Sequence, residues 1–357
     1  MEELFENEGG GKALRNKNKK AICFIIFSFA VSFFLGVFLL GVGEMDIGFK
    51  KALSIVIGKG FGIKGLLDGI RQNEIAVVWA IRLPRVVSSF FVGAGLGVCG
   101  AIFQSILINP LADPYTIGIS SGSAFGASLA IILNIFWDFV FSPTIFAFVF
   151  AFLSLILVIM IAEKSGDISS PSIVIAGIII SSIFSSAISF LKMLAGESVG
   201  AIVFFLMGSF SSVSLKDAML VFPAVTILFF LSLVFARDLN LMTLGDKAAS
   251  SLGVSCKKVR LFYLIIGSLL TAFCVSVSGI IGFVGLVCPH ILRKRFTSDN
   301  RLLIPLCFVV SGLVLLVSDS VTRNIFGGEI PVGVLTTLIG GPFFIYVYLS
   351  KGGKKNG

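Results

Sequence analysis

From Ala21 to Ser350 the chain returns repeatedly to apolar runs of about twenty residues, the length of helix that crosses a hydrocarbon layer. In lipid every backbone N–H and C=O must be paired inside the segment or inside a closed barrel, so runs of this length dictate helices. They fall near 21–43, 86–108, 115–136, 143–162, 172–194, 218–236, 259–281, 283–292, 302–319 and 331–350. The eighth is too short alone. Yet no charged residue occurs from Leu261 to Leu292, and Ser278, Gly279, Gly282 and Gly285 offer a place to turn. The expected fold is therefore all-α and polytopic, with about ten transmembrane helices, the eighth short and partly buried in protein. Only 13% of residues are charged, about half the share in a soluble domain. The first apolar run is too long for a cleaved signal and reads as a retained span.

The net charge of +9 raises nucleic acid as a partner, but its distribution points to the membrane instead. With the N-terminus placed in the cytoplasm, 18 of the 28 Lys and Arg residues fall inside, as the positive-inside rule requires. Both termini are then cytoplasmic, in a multi-pass protein of the cell membrane. The expected organisation is a tail over 1–20, one transmembrane domain over 21–350 and a second tail over 351–357.

Several motif matches dissolve on inspection. "GLGVCG" (Gly95 to Gly100) fits a dinucleotide fingerprint, but it lies inside an apolar span rather than between a strand and a helix. Gly93, Gly97 and Ala101 share one helix face at the spacing that lets helices approach closely in lipid. "GGGKAL" lacks phosphate-loop spacing, because Ala13 follows Lys12. No catalytic constellation emerges, and neither does a metal site: the single histidine, His290, has no ligating neighbour. The six cysteines form no CxxC pair and read as small hydrophobes. Asp138, Glu163, Asp238 and Asp319 lie near span ends rather than at span centres, which argues against an ion-coupled secondary transporter, the alternative from another class.

Three polar stretches remain. In "AIRLPRVVSSF", Arg82 and Arg85 share a helix face on the outer side, either snorkelling at the interface or offering a basic docking point. In "ILINPLADPYTIGISSG", Pro110 and Pro114 cannot both lie inside one regular helix. The chain breaks where the second span meets the cytoplasm, and Asp113 suits a turn or cap there. In "LNLMTLGDKAASSLGVSCKKVR", Ala248, Ala249 and Leu252 fall at near-helical spacing behind Gly245 and Asp246, with Gly253 to end the turn. That is either a solvated loop or a short helix made for a partner's groove.

The stretch from Arg82 to Gly126, together with "LGDKAASSLGV", "SGIIGFVGLVCPHILR" and "DSVTRNIFGGEIPVGVLTTLIGGPFFIYVYL", resembles in order the motifs of the FecCD family of ABC importer permeases. That family takes up iron–siderophore complexes, haem and vitamin B12. The chain departs from its pattern at Phe205–Ser209, where members often carry Trp-x-x-Gly-Ser, and at Pro171, where small hydroxyl residues are usual. The resemblance implies a type II ABC importer permease fold and a homodimer with the pathway on its axis. It further implies two ATP-binding cassette subunits below and an extracytoplasmic binding protein above. The chain would need no cofactor of its own, ATP and Mg belonging to the cassette subunits. Arg82, Arg85 and Arg323 would meet carboxylates of the binding protein. Asn109 and Leu111 would form one cytoplasmic gate, and Ser170 and Pro171 a second. Leu244, Gly245, Asp246, Lys247, Ala248, Leu252 and Gly253 would sit in the ATPase, within a coupling segment at about 238–257. The cargo implied first is a ferric siderophore, with haem, cobalamin or an oxyanion such as molybdate as alternatives.

Overall fold

The computed structural model describes the backbone of residues 2–352, apart from 44, 138–139, 166–167 and 326–329, and side chains from 17 to 345 with 325 also set aside. Asp138 and the last residues of the expected C-terminal tail lie outside the described residues. No strand occurs among those described. Helix α1 runs Glu2–Gly41, so the charged stretch expected as a tail continues as helix into the first span. A short α2 (Phe49–Gly60) follows, then a 3-10 turn at Lys64–Leu67 and α3 (Gln72–Ala76). From α3 the helix carries on through a π-helical stretch, Val77–Arg82, into α4 (Leu83–Ile106). Pro84 accounts for the wider turn. Its ring would clash with the carbonyl four residues earlier and it donates no N–H, and one π-turn relieves both.

The chain then lays down α5 (Ile119–Trp137), α6 (Pro143–Lys164), α7 (Ser170–Ala195), α8 (Val199–Met207) and α9 (Leu215–Val234). Two short helices, α10 (Ala236–Met242) and α11 (Asp246–Ser251), precede α12 (Cys256–Ser278). The last three are α13 (Val284–Arg295), α14 (Asn300–Ile325) and α15 (Val332–Gly352). All ten expected crossings coincide with helices. Among the described residues, eight helices are long and apolar enough to cross a membrane, whereas α13 and the apolar part of α15, Val332–Ile345, are shorter. This is a multi-pass membrane protein.

Helix α4 is the central post, packed by α9, α12, α13 and α14. Its glycines explain how so many neighbours fit. A Cβ on Gly93 would stand 2.5 Å from the Ser311 carbonyl oxygen, and one on Gly97 would stand 2.1 Å from Ser311 Oγ, both on α14. A Cβ on Gly100 would lie 1.6 Å from the Gly285 carbonyl oxygen of α13. The stretch that mimics a nucleotide fingerprint is thus a set of contact points where backbones touch, the geometry that dispersion-driven packing in lipid demands.

Two faces follow from the connections. On one, the end of α1 meets the starts of α4 and the end of α14 through Arg82 and Arg323. On the opposite face, the end of α4 meets the starts of α7 and α14.

Candidate functional site

The chain between α4 and α5 is irregular but not loose. Ile108 takes a left-handed backbone (φ 51°), an uncommon state for a β-branched residue. Asn109 Oδ1 accepts the Leu111 N–H at 2.9 Å. Asp113 Oδ1 accepts the N–H groups of Tyr115 (3.0 Å) and Thr116 (2.9 Å), while Thr116 Oγ1 donates to the Asp113 carbonyl oxygen. Asp113 therefore builds the turn that restarts the helix, as expected. Burial pushes its carboxyl above the usual range, to about 6, against the pull of those hydrogen bonds. Ile108 and Leu111 stay exposed, although both are apolar.

A second interruption, at Gly279–Phe283, separates α12 from α13. Gly279 (φ 69°) and Gly208 (φ 70°) turn the chain where a side chain would collide with backbone. The Ser209 N–H donates to the Ser278 carbonyl at 2.8 Å, and the Gly333 N–H to the Gly208 carbonyl at 3.1 Å. These bonds tie the ends of α8 and α12 to the start of α15. Phe283 is again left-handed (φ 67°), and its carbonyl accepts the N–H groups of Leu286 and Val287 in the first turn of α13. Non-helical backbone at membrane depth persists only where protein buries it or a cavity adjoins it. Here a cavity of about 500 Å³ adjoins it, lined by Ile280, Phe283 and Leu286, by Leu206 and Met207, by Val334 and Leu338, and by Asp113 and Tyr115 of the first break. The two interruptions thus share one space, and Asp113 is the charged residue in its lining.

The arginines converge on the opposite face, each held by its own chain. Arg82 is buried and donates to the carbonyls of Leu40 (3.0 Å) and Met45. Arg85 is buried in a fork with Asp319. Arg323, half-buried, donates to the carbonyls of Leu39 (3.2 Å) and Val42 (3.1 Å). Neither free snorkelling nor a fully exposed docking point describes Arg82 and Arg85. They fasten the rim, and Arg323 is the most accessible of the three.

The 244–253 segment forms a turn of helix between two left-handed glycines, Gly245 (φ 99°) and Gly253 (φ 86°). Ala249 is buried, while Lys247, Ala248, Leu244 and Leu252 face outward; the two leucines are 65% and 60% exposed. Ser170 starts α7 and donates from Oγ to the Ile106 carbonyl at 3.0 Å, at the threshold of the first break. Pro171 departs from the family pattern without harm to geometry, since the first turn of a helix has no use for its N–H.

Sequence reasoning missed α8, whose nine apolar residues are too few for a span, and it missed the pairing of Arg85 with Asp319. It also missed Arg260, a buried cation one turn into α12 that binds Asp246. Gly196 and Gly208 bracketing α8 were the available signal for the first.

A bundle of membrane-spanning helices in which two broken segments meet at one cavity defines a permease. The chain belongs to the FecCD transport family, whose model matches residues 27–350. It is 34% identical to the molybdate import system permease protein MolB of Haemophilus influenzae, over 89% of this chain and 93% of that one. It is 31% identical to the Fe(3+)-citrate import system permease protein YfmE of Bacillus subtilis, over 94% and 97%. Among solved structures it superposes, with a TM-score of 0.78 and 31% identity, on a chain assigned to the metal-chelate type of ABC transporter in an inward-facing conformation. That match covers 91% of this chain and 98% of the other.

Proposed function

We propose that the chain is the membrane subunit of an ATP-driven importer that carries a metal chelate, with a ferric siderophore as the first cargo to test. The observation that carries this reading is the shared cavity between the 107–118 and 279–283 breaks. Its lining is apolar apart from Asp113 and a few small polar groups. A small oxyanion would be stripped of water there without a cation to replace it, and the Asp113 carboxylate would repel it. A bulky chelate with an organic shell fits better.

The mechanism follows from three surfaces. The 244–253 segment offers Leu244 and Leu252 to an ATP-binding cassette subunit, so nucleotide-driven movement enters there. Asn109, Leu111, Ser170 and Pro171 sit around the Ile106–Ser170 contact and act as the inner gate. An extracytoplasmic binding protein docks on the arginine face, with Arg323 the nearest cation. A second copy completes the pathway. In support, Ser182, Ser185, Ser186 and Ser189 form one exposed stripe of small residues along α7, three of them bonded to their own helix's carbonyls, a face that lets another helix approach closely. The N-terminal face is cytoplasmic in this reading.

The test is uptake by liposomes that contain the chain with its cassette subunit and binding protein. ATP-dependent entry of a radio-iron siderophore, with none for molybdate, is expected. Molybdate entry alone would overturn the cargo, and entry driven by an ion gradient without the cassette subunit would overturn the class.

A further inference from the structure

Arg260 lies in the second turn of α12 and is 2% exposed. It reaches two separate segments at once. Nη2 donates to Asp246 Oδ1 at 2.6 Å, and Nη1 donates to the carbonyl oxygen of Ile168 at 2.8 Å. Asp246 opens α11, inside the exposed 244–253 segment. Ile168 stands two residues before Ser170, which opens α7 and donates to the Ile106 carbonyl at 3.0 Å. Ile106 closes α4, directly ahead of Asn109 and Leu111. Three hydrogen bonds, the last two joined by the backbone from 168 to 170, therefore run from the exposed segment through Arg260 to both candidate gates.

The chemistry of the link sets it apart from ordinary bracing. A guanidinium is planar and rigid, so a pull on one N–H group turns the others. A buried charge is strongly disfavoured once its partner leaves, so Arg260 follows Asp246 when α11 moves.

We propose that Arg260 is a positioning residue that converts displacement of the 244–253 segment into displacement of the gate segments at 106–111 and 168–171. The proposal rests on the permease reading above and names the part that carries its motion. Glu163 and Lys257 also join α6 to α12, at 3.1 Å, but both are well exposed. A screened surface pair of that kind holds little, so it offers no alternative line.

The experiment uses the chain assembled with its cassette subunit in lipid nanodiscs. Cys23 is replaced by Ser, and a nitroxide is placed at Ile108→Cys, an exposed site beside the gate. A non-hydrolysable ATP analogue should change the nitroxide spectrum in the otherwise unsubstituted complex. In Arg260→Gln the complex should still assemble and hydrolyse ATP, while the fraction of nitroxide that responds falls at least tenfold. Arg260→Lys keeps a cation for Asp246 and should regain part of the response. Should Arg260→Gln fail to fold, Asp246→Ala, at the partly exposed end, removes the acceptor of the same link and should also lose the response. A full spectral response in Arg260→Gln or in Asp246→Ala would overturn the proposal, as would loss of hydrolysis and response in equal proportion. No response to the analogue in the unsubstituted complex would overturn the coupling role proposed for the 244–253 segment, and the relay with it.

Discussion

Arg85 on α4 and Asp319 on α14 form a forked ion pair at the end of the bundle, with Nε to Oδ2 at 2.9 Å and Nη2 to Oδ1 at 2.8 Å. Both are buried, in an interface where α4 and α14 pack more extensively than any other two helices. A paired charge of this kind holds register more than it adds stability, because desolvation offsets most of the attraction.

The asymmetry can be measured. Asp319→Leu strands a buried guanidinium and should cost about 3–5 kcal/mol, as breaking one side of a buried pair does. Arg85→Leu combined with Asp319→Leu should recover most of that loss. Thermal unfolding in detergent checks both; a double variant no more stable than the single one would show that the fork itself carries the stability.

The rim arginines separate into two roles. Arg323→Gln should weaken association with the binding protein, more at low salt, and lower the melting temperature only slightly, because at that half-buried site water can replace the donor to Leu39 and Val42. Arg82→Gln should lower the melting temperature more, because Arg82 is buried and its loss leaves the carbonyls of Leu40 and Met45 without their donor. Binding-protein affinity by surface capture, measured beside a melt for each variant, distinguishes them.

Close approach on α4 makes a steep prediction. Gly100→Ala puts a methyl group where the Gly285 carbonyl oxygen already is, so α13 must move or the chain must misfold. Expression of folded protein should fall severalfold, judged by size-exclusion profiles in detergent. Gly65→Ala meets nothing within 4 Å and should behave as the unsubstituted chain.

These positions show how far sequence carries the structure. Spans were legible because lipid admits one solution for an apolar run, and the packing glycines because their spacing of four matches a helix face. The breaks were legible from Pro110, Pro114 and the glycines after Ser278. Long-range partners were not. Nothing in the local pattern says that Arg85 finds Asp319, or that Arg260 reaches both Asp246 and Ile168, since such pairs are fixed only by how helices cross. Helix α8 was hidden for a different reason: half a span reads as loop until its neighbours supply the missing wall.

Asp113 makes stability depend on pH. Burial raises its carboxyl from 3.8 to about 6, so between those values the folded state holds more protons than the unfolded one. Stability from this group is then fully present below about pH 4 and lost as pH rises through 6. Asp113→Asn keeps the oxygen that accepts from Tyr115 and Thr116 but cannot ionise. Its melting temperature should match the unsubstituted protein near pH 4 and exceed it above pH 6, with the gap opening between. Parallel melts at pH 4.5, 6 and 8 check this; a constant gap would place Asp113 in water.

The gate assignment makes the sharpest demand on two copies together. Asn109 sits at the mouth of the first break, tied to Leu111 by its own side chain and to α7 through the Ile106–Ser170 contact. If the two copies meet there, Asn109→Cys, introduced with Cys23 replaced by Ser, should form a disulfide across the dimer only when the inner side is closed. Closure by an ATP analogue should raise crosslinking, and uptake should stop until reductant is added. Cys256 is half-buried and the remaining four cysteines are buried, so background crosslinking should be small. Crosslinking that ignores nucleotide would remove Asn109 from the gate while leaving the cavity, and the permease reading built on it, intact.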